Sequence, residues 1–533
     1  MSETKIVRKA SGLVRAVGKF DALMMCIAAI SVGAGQAFIA DSVMTLSPGV
    51  DLYLWLFLGF LVCLPHAFLY GQLGALVARS GGDYVFVSRN TWPWLGFAMN
   101  FTFAVGASLV LGGMQPWNAT WVTSGTLWAV GLATKDPSLI QWAQVVVQPL
   151  NVFIIGSIAL FGVLLIMFLP HRWVLRVNNA MIILGSIGTL LIAVIALMVG
   201  SEHFKANWDA LVGGMGYVKF DDVIPLAKQY GLVMGTGLAP TVGILLMPFW
   251  LYFGYHVSNF FSGEMEDVGT AAPISTVGAL AFLLVSHLVA DWSILSMVGQ
   301  EWWTSASYIY FQARLTGAAP PFNVYNSFLA SVAMPNLGLI WVVNILWSMW
   351  AFSLWLSYFY FISRCFFAQA FDRVLPASIA YVTKRTHAPA VALVVTFIIA
   401  EIGLALSVYT TSLVQLNWTL MAVSMMAIAA GTSIVYPFIN KEGFEAAPRI
   451  ARARIGGVPL LSISGAVTLA VFIWVASMFI LNPASFGTIT PMSISIIVGI
   501  FAAGAIIFYL SRWFRMKKEG VDILMLYKEI PPA

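Results

Sequence analysis

Two short stretches place glycine beside polar and aromatic residues inside long apolar segments. They are Ser31-Val32-Gly33-Ala34-Gly35-Gln36 and Phe253-Gly254-Tyr255-His256-Val257-Ser258-Asn259. Glycine costs a helix roughly 1 kcal/mol relative to alanine, so both stretches predict an interrupted helix. In lipid, an unwound turn is tolerated only where protein buries it or it lines a watery cavity. Backbone amides and carbonyls freed at such a turn are ligands for a small polar molecule, and paired interruptions mark the binding site of a secondary transporter. The competing reading of the glycines is close packing of two helices. His256 stands inside the second stretch, where it could touch a ligand or titrate near neutral pH.

The elements around these stretches follow from composition. The chain is 60% hydrophobic and 9% charged, with a mean hydropathy of +0.88. That is a polytopic, all-α membrane protein rather than several soluble domains. The net charge of +5 does not point to nucleic acid, because the cations sit in short loops between apolar runs. Cys26, Cys63 and Cys365 all fall in apolar segments, so neither a disulfide framework nor a zinc site is indicated. The basic N-terminal stretch is followed by no small-residue cleavage site, so the first apolar segment reads as a retained helix.

Twelve spans are predicted, at 20–46, 51–74, 92–122, 143–169, 173–200, 239–262, 271–298, 335–366, 388–409, 414–438, 457–481 and 490–511. With both termini cytoplasmic, 22 of the 27 lysines and arginines lie inside; Lys135, Lys205, Lys219, Lys228 and Arg314 lie outside, as the positive-inside rule requires. The outside loop 201–238 is polar. The outside loop 299–334 carries Trp302, Trp303, Tyr308, Tyr310 and Phe311, which suits a helix at the membrane interface or a lid over a vestibule. The basic tail after Arg512 predicts attraction to anionic lipid. The interrupted spans are the first and the sixth, so the chain divides into a cytoplasmic segment 1–19, a five-helix repeat 20–200, an outside loop 201–238, an inverted five-helix repeat 239–440, two further helices within 441–511 and a tail 512–533.

Four segments carry a family resemblance. Arg79-Ser80-Gly81-Gly82-Asp83-Tyr84, after the second span, resembles the P-x-S-G-G-x-Y segment of amino acid–polyamine–organocation (APC) transporters, with Ala78 in the region of the usual proline. Ser262-Gly263-Glu264-Met265-Glu266-Asp267 leading to Pro273 resembles that family's E-E-x-x-N-P exit from the sixth span, without the N-P. Ser363-Arg364 followed by Phe371-Asp372-Arg373-Val374-Leu375-Pro376 resembles its S-R…A-x-D-G-x-L-P segment, and Arg176-Val177-Asn178-Asn179 the start of its fifth span. The resemblance implies a LeuT-like fold of 5+5 inverted repeats, with spans eleven and twelve outside the repeat.

In such a fold the first break presents amides at a half-helix N-terminus, which hold an anionic group. Val32, Gly33, Ala34, Gly35 and Gln36 are the candidates, with Phe253, Gly254 and Tyr255 offering carbonyls to an ammonium. An amino acid carries both charges; a polyamine would want acidic side chains that neither break supplies. Ser353 and Ser357 are candidate sodium ligands. His256, Asp291 and Glu401 are candidate proton carriers, and no lysine stands near Gly185, where some proton-coupled relatives place one. Glu264 and Asp267 are expected to form an inner gate with cytoplasmic arginines such as Arg15 or Arg89.

The expectation is a secondary active transporter of neutral or hydrophobic amino acids in the cell membrane, with H+ or Na+ as the possible coupling ion and no other cofactor. The alternatives are a carrier of another small organic cation or a nucleobase, and a channel. An enzyme is not expected, because no H-E-x-x-H, G-x-S-x-G or P-loop occurs.

Overall fold

The first span starts as a helix at Lys19 and stops at Ile30. Ser31 takes φ 59°, a left-handed value that few non-glycine residues adopt. The helix then restarts at Val32, runs to Phe38, widens into a π-turn over Ile39–Val43 and ends at Leu46. The break is therefore a single residue, shorter than the expected Ser31–Gln36 interruption: Gly33 and Gly35 are helical. This computed structural model describes residues 12–410, 417–481 and 490–529; Lys5, Arg8 and Lys9 of the basic N-terminal stretch lie outside them.

Eleven helices among the described residues are long and apolar enough to cross a membrane, and each falls on a predicted span. Their ends follow local chemistry. Asp51, Asn336, Asn417 and Thr490 cap the second, eighth, tenth and twelfth spans through side-chain oxygens, satisfying amides that have no helical acceptor. Proline opens the third, fourth and twelfth, where its missing N–H costs nothing. On the fourth span Leu150, Ile154, Ile158, Phe161 and Leu165 are all exposed. That spacing is one helix face, and an exposed aliphatic face suits lipid.

The predicted sixth span is not a helix of that length. It consists of short helical pieces, Ala239–Gly243 and Met247–Leu251, then turns and 3-10 segments at Val257–Phe260 and Ser262–Glu264. Pro240 and Pro248 each remove a donor, and Gly243 and Gly254 add freedom, so no long ladder can form. Almost every residue from Met247 to Ser262 is buried, as irregular backbone at membrane depth requires.

The first and sixth segments cross antiparallel and touch at their breaks. Val17 at the start of one pairs with Met265 at the end of the other; the amides of Ala16 and Val17 donate to the Glu264 carbonyl at 3.0 and 2.9 Å. Midway, Gly254 (φ 128°) lies so close to the first break that a Cβ there would stand 2.5 Å from the Ala29 carbonyl and 2.8 Å from the Ile30 amide.

Two loops differ from expectation. The fifth span kinks at Gly200 and continues as helix to Leu211, followed by Val223–Gln229. In 299–334 the helices Gln300–Leu315 and Asn326–Ala333 turn Trp302 and Trp303 inward, buried. The Trp302 indole stacks on Phe220 and donates to its carbonyl at 3.0 Å. These helices are a cap seated on the bundle end opposite the Glu264 end, as the lid alternative expected. The C-terminal segment Ile523–Lys528 also docks on protein: buried Tyr527 meets the Tyr84 hydroxyl at 2.9 Å and lies under the Arg89 guanidinium.

Gly254→Ala would impose a strained conformation, costing about 1–3 kcal/mol, on top of overlap with the Ala29 carbonyl. A large loss of folded protein is expected, read as a lowered melting temperature in detergent; Gly431→Ala, with open space around its Cβ position, should leave it unchanged.

Candidate functional site

The two breaks enclose a cavity. Its empty space is about 350 Å³, open mouth included. Ala29, Ile30 and Ala34 flank the first break, Trp250 and Phe253 come from the sixth segment, and Val110, Met114 and Trp117 from the third span. Leu354, Tyr358 and Trp418 complete the wall, and none of these residues carries a charge. Aromatic rings close one side: Phe38 meets Trp250 at 4.2 Å between centroids, and Trp117 stacks on Trp121 at 4.2 Å.

The first break is held open by side chains. Ser31 Oγ donates to the Trp350 carbonyl at 3.1 Å and accepts from the Ala34 amide at 3.4 Å, while the Gly35 amide returns to the Ser31 carbonyl. The amides of Val32 and Gly33 fall outside the helical ladder, as the first donors of any helix must. A Cβ on Gly33 would stand 2.7 Å from that of Trp350, so the eighth span packs directly on the backbone here. Gln36 accepts from the Trp347 indole at 2.7 Å.

The predicted site residues divide. Ala34 and Phe253 line the cavity. Gly33, Gly35 and Gln36 form the wall behind it, against Trp350, His287 and Trp347, and Val32 is buried at the start of the half-helix. Gly254 packs on the first break, and Tyr255 turns away to share a 2.7 Å hydrogen bond with His66 Nδ1. His256 lies one layer behind Phe253 in an aromatic cage of Phe253, Tyr70, Tyr255 and His66, with ring centroids at 4.6–5.6 Å. It is fully buried, and neither ring nitrogen has a hydrogen-bond partner among the described residues.

The candidate ion residues are scattered. Ser353 Oγ donates to the Trp350 carbonyl at 3.0 Å and Ser357 Oγ to the Met25 carbonyl at 2.8 Å. Asp291 pairs with His287 at 2.9 Å, fully buried, behind Gly35. Glu401 meets Ser157 at 2.8 Å between the ninth and fourth spans, and neither residue lines the cavity. At Gly185 of the fifth span the neighbouring volume belongs to the Trp350 indole, 3.0 Å from a Cβ there, whose N–H donates to Thr189 at 3.0 Å.

Both ends of the bundle carry ion pairs that bind the broken segments to their surroundings. On the terminal face, Glu264 takes two hydrogen bonds from Arg364, both 2.9 Å, and a third from the Tyr360 hydroxyl at 2.9 Å. Arg15 and Arg89 are not its partners: Arg89 pairs with Asp372 at 2.7 Å. The expected arginine loses because Arg364, one turn from Tyr360 on the eighth span, already faces the end of the sixth segment. Asp267 meets Lys19 at 3.0 Å and is exposed; the Thr270 hydroxyl, then the Lys19 ammonium, hold its carboxyl below the usual range. On the opposite face Asp41, in the π-turn of the first span, takes both oxygens to Arg314 at 3.0 and 3.1 Å.

Trp117, Trp250, Trp418 and Tyr358 were not anticipated as cavity residues. Trp250 stands three residues before Phe253, one helical turn, which is the signal that could have placed it; the others lie on spans whose apolar sequence distinguishes no inner face.

A bundle of apolar helices with two mutually packed interruptions around a central cavity defines a membrane protein of the transporter class. A family model described as amino acid permease matches residues 17–503, and the chain belongs to that family, within the APC superfamily.

Glu264→Gln leaves the buried Arg364 charge unneutralised, an error worth about 3–5 kcal/mol for a buried pair. A marked fall in the detergent melting temperature is expected, with substantial recovery in Glu264→Gln/Arg364→Met, where no charge is stranded.

Proposed function

We propose that the protein carries neutral or hydrophobic amino acids across a cell membrane by alternating access, with both termini in the cytoplasm. The observation that carries this reading is the uncharged, aromatic-walled cavity where the two breaks meet. An amino acid with an aliphatic or aromatic side chain gains from burial there by roughly 25 cal/mol per Å² of apolar surface. A charged side chain would find no partner in the wall, and burying it unpaired is costly.

The α-carboxylate goes to the N-terminal end of the half-helix starting at Val32, where the amides of Val32 and Gly33 and the positive end of the dipole act together. The α-ammonium goes to carbonyls of the sixth break near Phe253 and to the C-terminal end of the half-helix finishing at Ile30. Gln36, Gly254 and Tyr255 shape this site from behind.

Alternating access requires each end to open in turn. Glu264–Arg364, with the Val17–Met265 pairing, is the inner closure; Asp41–Arg314 is the outer one. The five-helix inverted repeat accounts for the antiparallel relation of the first and sixth segments. Ser353 and Ser357 both donate to backbone carbonyls, the usual fate of serine in a membrane helix, which weighs toward protons rather than sodium as the coupling ion.

The test is counterflow. Proteoliposomes loaded with unlabelled amino acids should accumulate labelled neutral amino acids without an imposed ion gradient. Accumulation of one chemical group establishes carrier behaviour and substrate class together; no accumulation with any amino acid, by protein shown to be folded, overturns the reading. Gly33→Val, whose branches would meet Trp350, should abolish counterflow while the protein still inserts. Normal counterflow by that variant would remove the half-helix from the site.

A further inference from the structure

His287 and Asp291 stand one turn apart on the seventh span, both with no exposed surface. His287 Nδ1 shares a hydrogen bond with Asp291 Oδ2 at 2.9 Å, and Asn326 donates to Oδ1 at 3.4 Å. The other imidazole nitrogen, Nε2, has no hydrogen-bond partner among the described residues. It abuts the first span at Gly35, where a Cβ would stand 2.8 Å from His287 Cε1 and overlap Nε2 itself. The imidazole edge therefore rests on the first turns of the half-helix whose N-terminus is placed at the substrate carboxylate.

The surroundings add little competing charge. Between Asp267 and Glu301 the seventh span has no ionisable residue except this pair, and the fifth span has no charged residue between Arg176 and Glu202. On the half-helix Val32–Leu46 the one charge is Asp41, engaged by Arg314. Tyr53 of the second span and Tyr252 of the sixth segment are the titratable groups whose fields reach Asp291; Asn326 supplies a neutral donor. An ionised carboxylate at this depth is expensive and marks a functional position by default.

We infer that His287–Asp291 is the proton-binding site of this transporter, coupled to substrate through the half-helix that starts at Val32. The inference rests on the amino acid reading above. A proton from the outer solution forms the Nε2–H bond, giving an imidazolium whose Nδ1–H stays on Asp291; the pair passes from one net negative charge to none. With the substrate site empty, the positive end of the half-helix opposes the imidazolium. A carboxylate seated at that end reverses the local field and favours it. Proton and substrate therefore strengthen each other's binding, and linkage makes the effect reciprocal. When substrate leaves on the inner side the favourable field goes with it, the Nε2–H bond breaks and the proton enters the inner solution. The net result is symport.

The sign follows directly. Substrate affinity rises as the proton concentration rises, by a factor in the usual coupling range of roughly 5- to 150-fold. The experiment uses the full-length protein in proteoliposomes with a neutral amino acid that counterflow has shown to be a substrate. Apparent affinity is measured from pH 5 to 8, uptake is driven by an inward pH gradient, and an entrapped pH dye follows protons. Wild type should show the affinity change, uphill uptake and proton entry with substrate. His287→Gln should lose uphill uptake, proton entry and the pH dependence of affinity, with counterflow persisting at a reduced rate. Asp291→Asn should do the same, and serves if the first variant does not fold. Uphill, proton-linked uptake by either folded variant overturns the inference. So does a wild type that exchanges substrate with pH-independent affinity and no proton movement, a result that leaves the transporter reading standing. Failure of counterflow in the wild type would instead strike that reading.

Discussion

Backbone polar groups cannot be left unsatisfied in hydrocarbon, and this protein breaks two of its crossing segments nonetheless. It can do so because the breaks face each other. Gly254 sits against the Ala29 carbonyl, and Ser31 ties the turn to the Trp350 carbonyl of the eighth span. The first and sixth segments are thereby held antiparallel at the centre of the bundle, with the third, eighth and tenth spans wrapped around them. The cavity is what remains between them: a space that exists because two segments meet at kinks and their side chains do not fill it.

The same constraint explains where polarity is found. Charges are engaged at the two ends, in Glu264–Arg364 and Asp41–Arg314, each joining a broken segment to a continuous helix. The middle is uncharged on its cavity-facing side, with polar side chains such as His256, His66, Gln36 and His287 behind the first wall. On the proposed reading such an arrangement separates two tasks: the cavity would select by burial, while ionisable groups one layer back would sense the field of the bound molecule.

Much of the fold was legible in sequence because lipid imposes a simple rule on length and hydropathy. Eleven predicted spans are helices, and the interruptions lie where glycine, serine and aromatic residues cluster. What was not legible depended on contacts between distant residues. Gly33 and Gly35 looked like the break and are instead helical; their missing side chains make room for Trp350 and His287. The break fell on Ser31, whose conformation is stabilised by a partner 319 residues away. The sixth segment proved less helical than its hydropathy suggested, since Pro240 and Pro248 restrict it at two points. Arg364 looked like one of several cytoplasmic cations, and only the approach of two segments selects it for Glu264. The two stretches do border the central cavity, while the assignment of each residue to cavity, wall or cage needed the tertiary packing.

The Ser31–Trp350 contact also has a consequence in time. Chains are made at roughly 5–20 residues per second, so a partner 319 positions further on takes on the order of 15–60 s to follow. During that interval the first span is already in the membrane without the groups that stabilise its kink. A continuous helix satisfies its own backbone and is the form lipid tolerates. The first segment therefore enters without the contact that fixes its break, and that contact forms only when the eighth span arrives. The cavity beside the break is complete only once that contact is made.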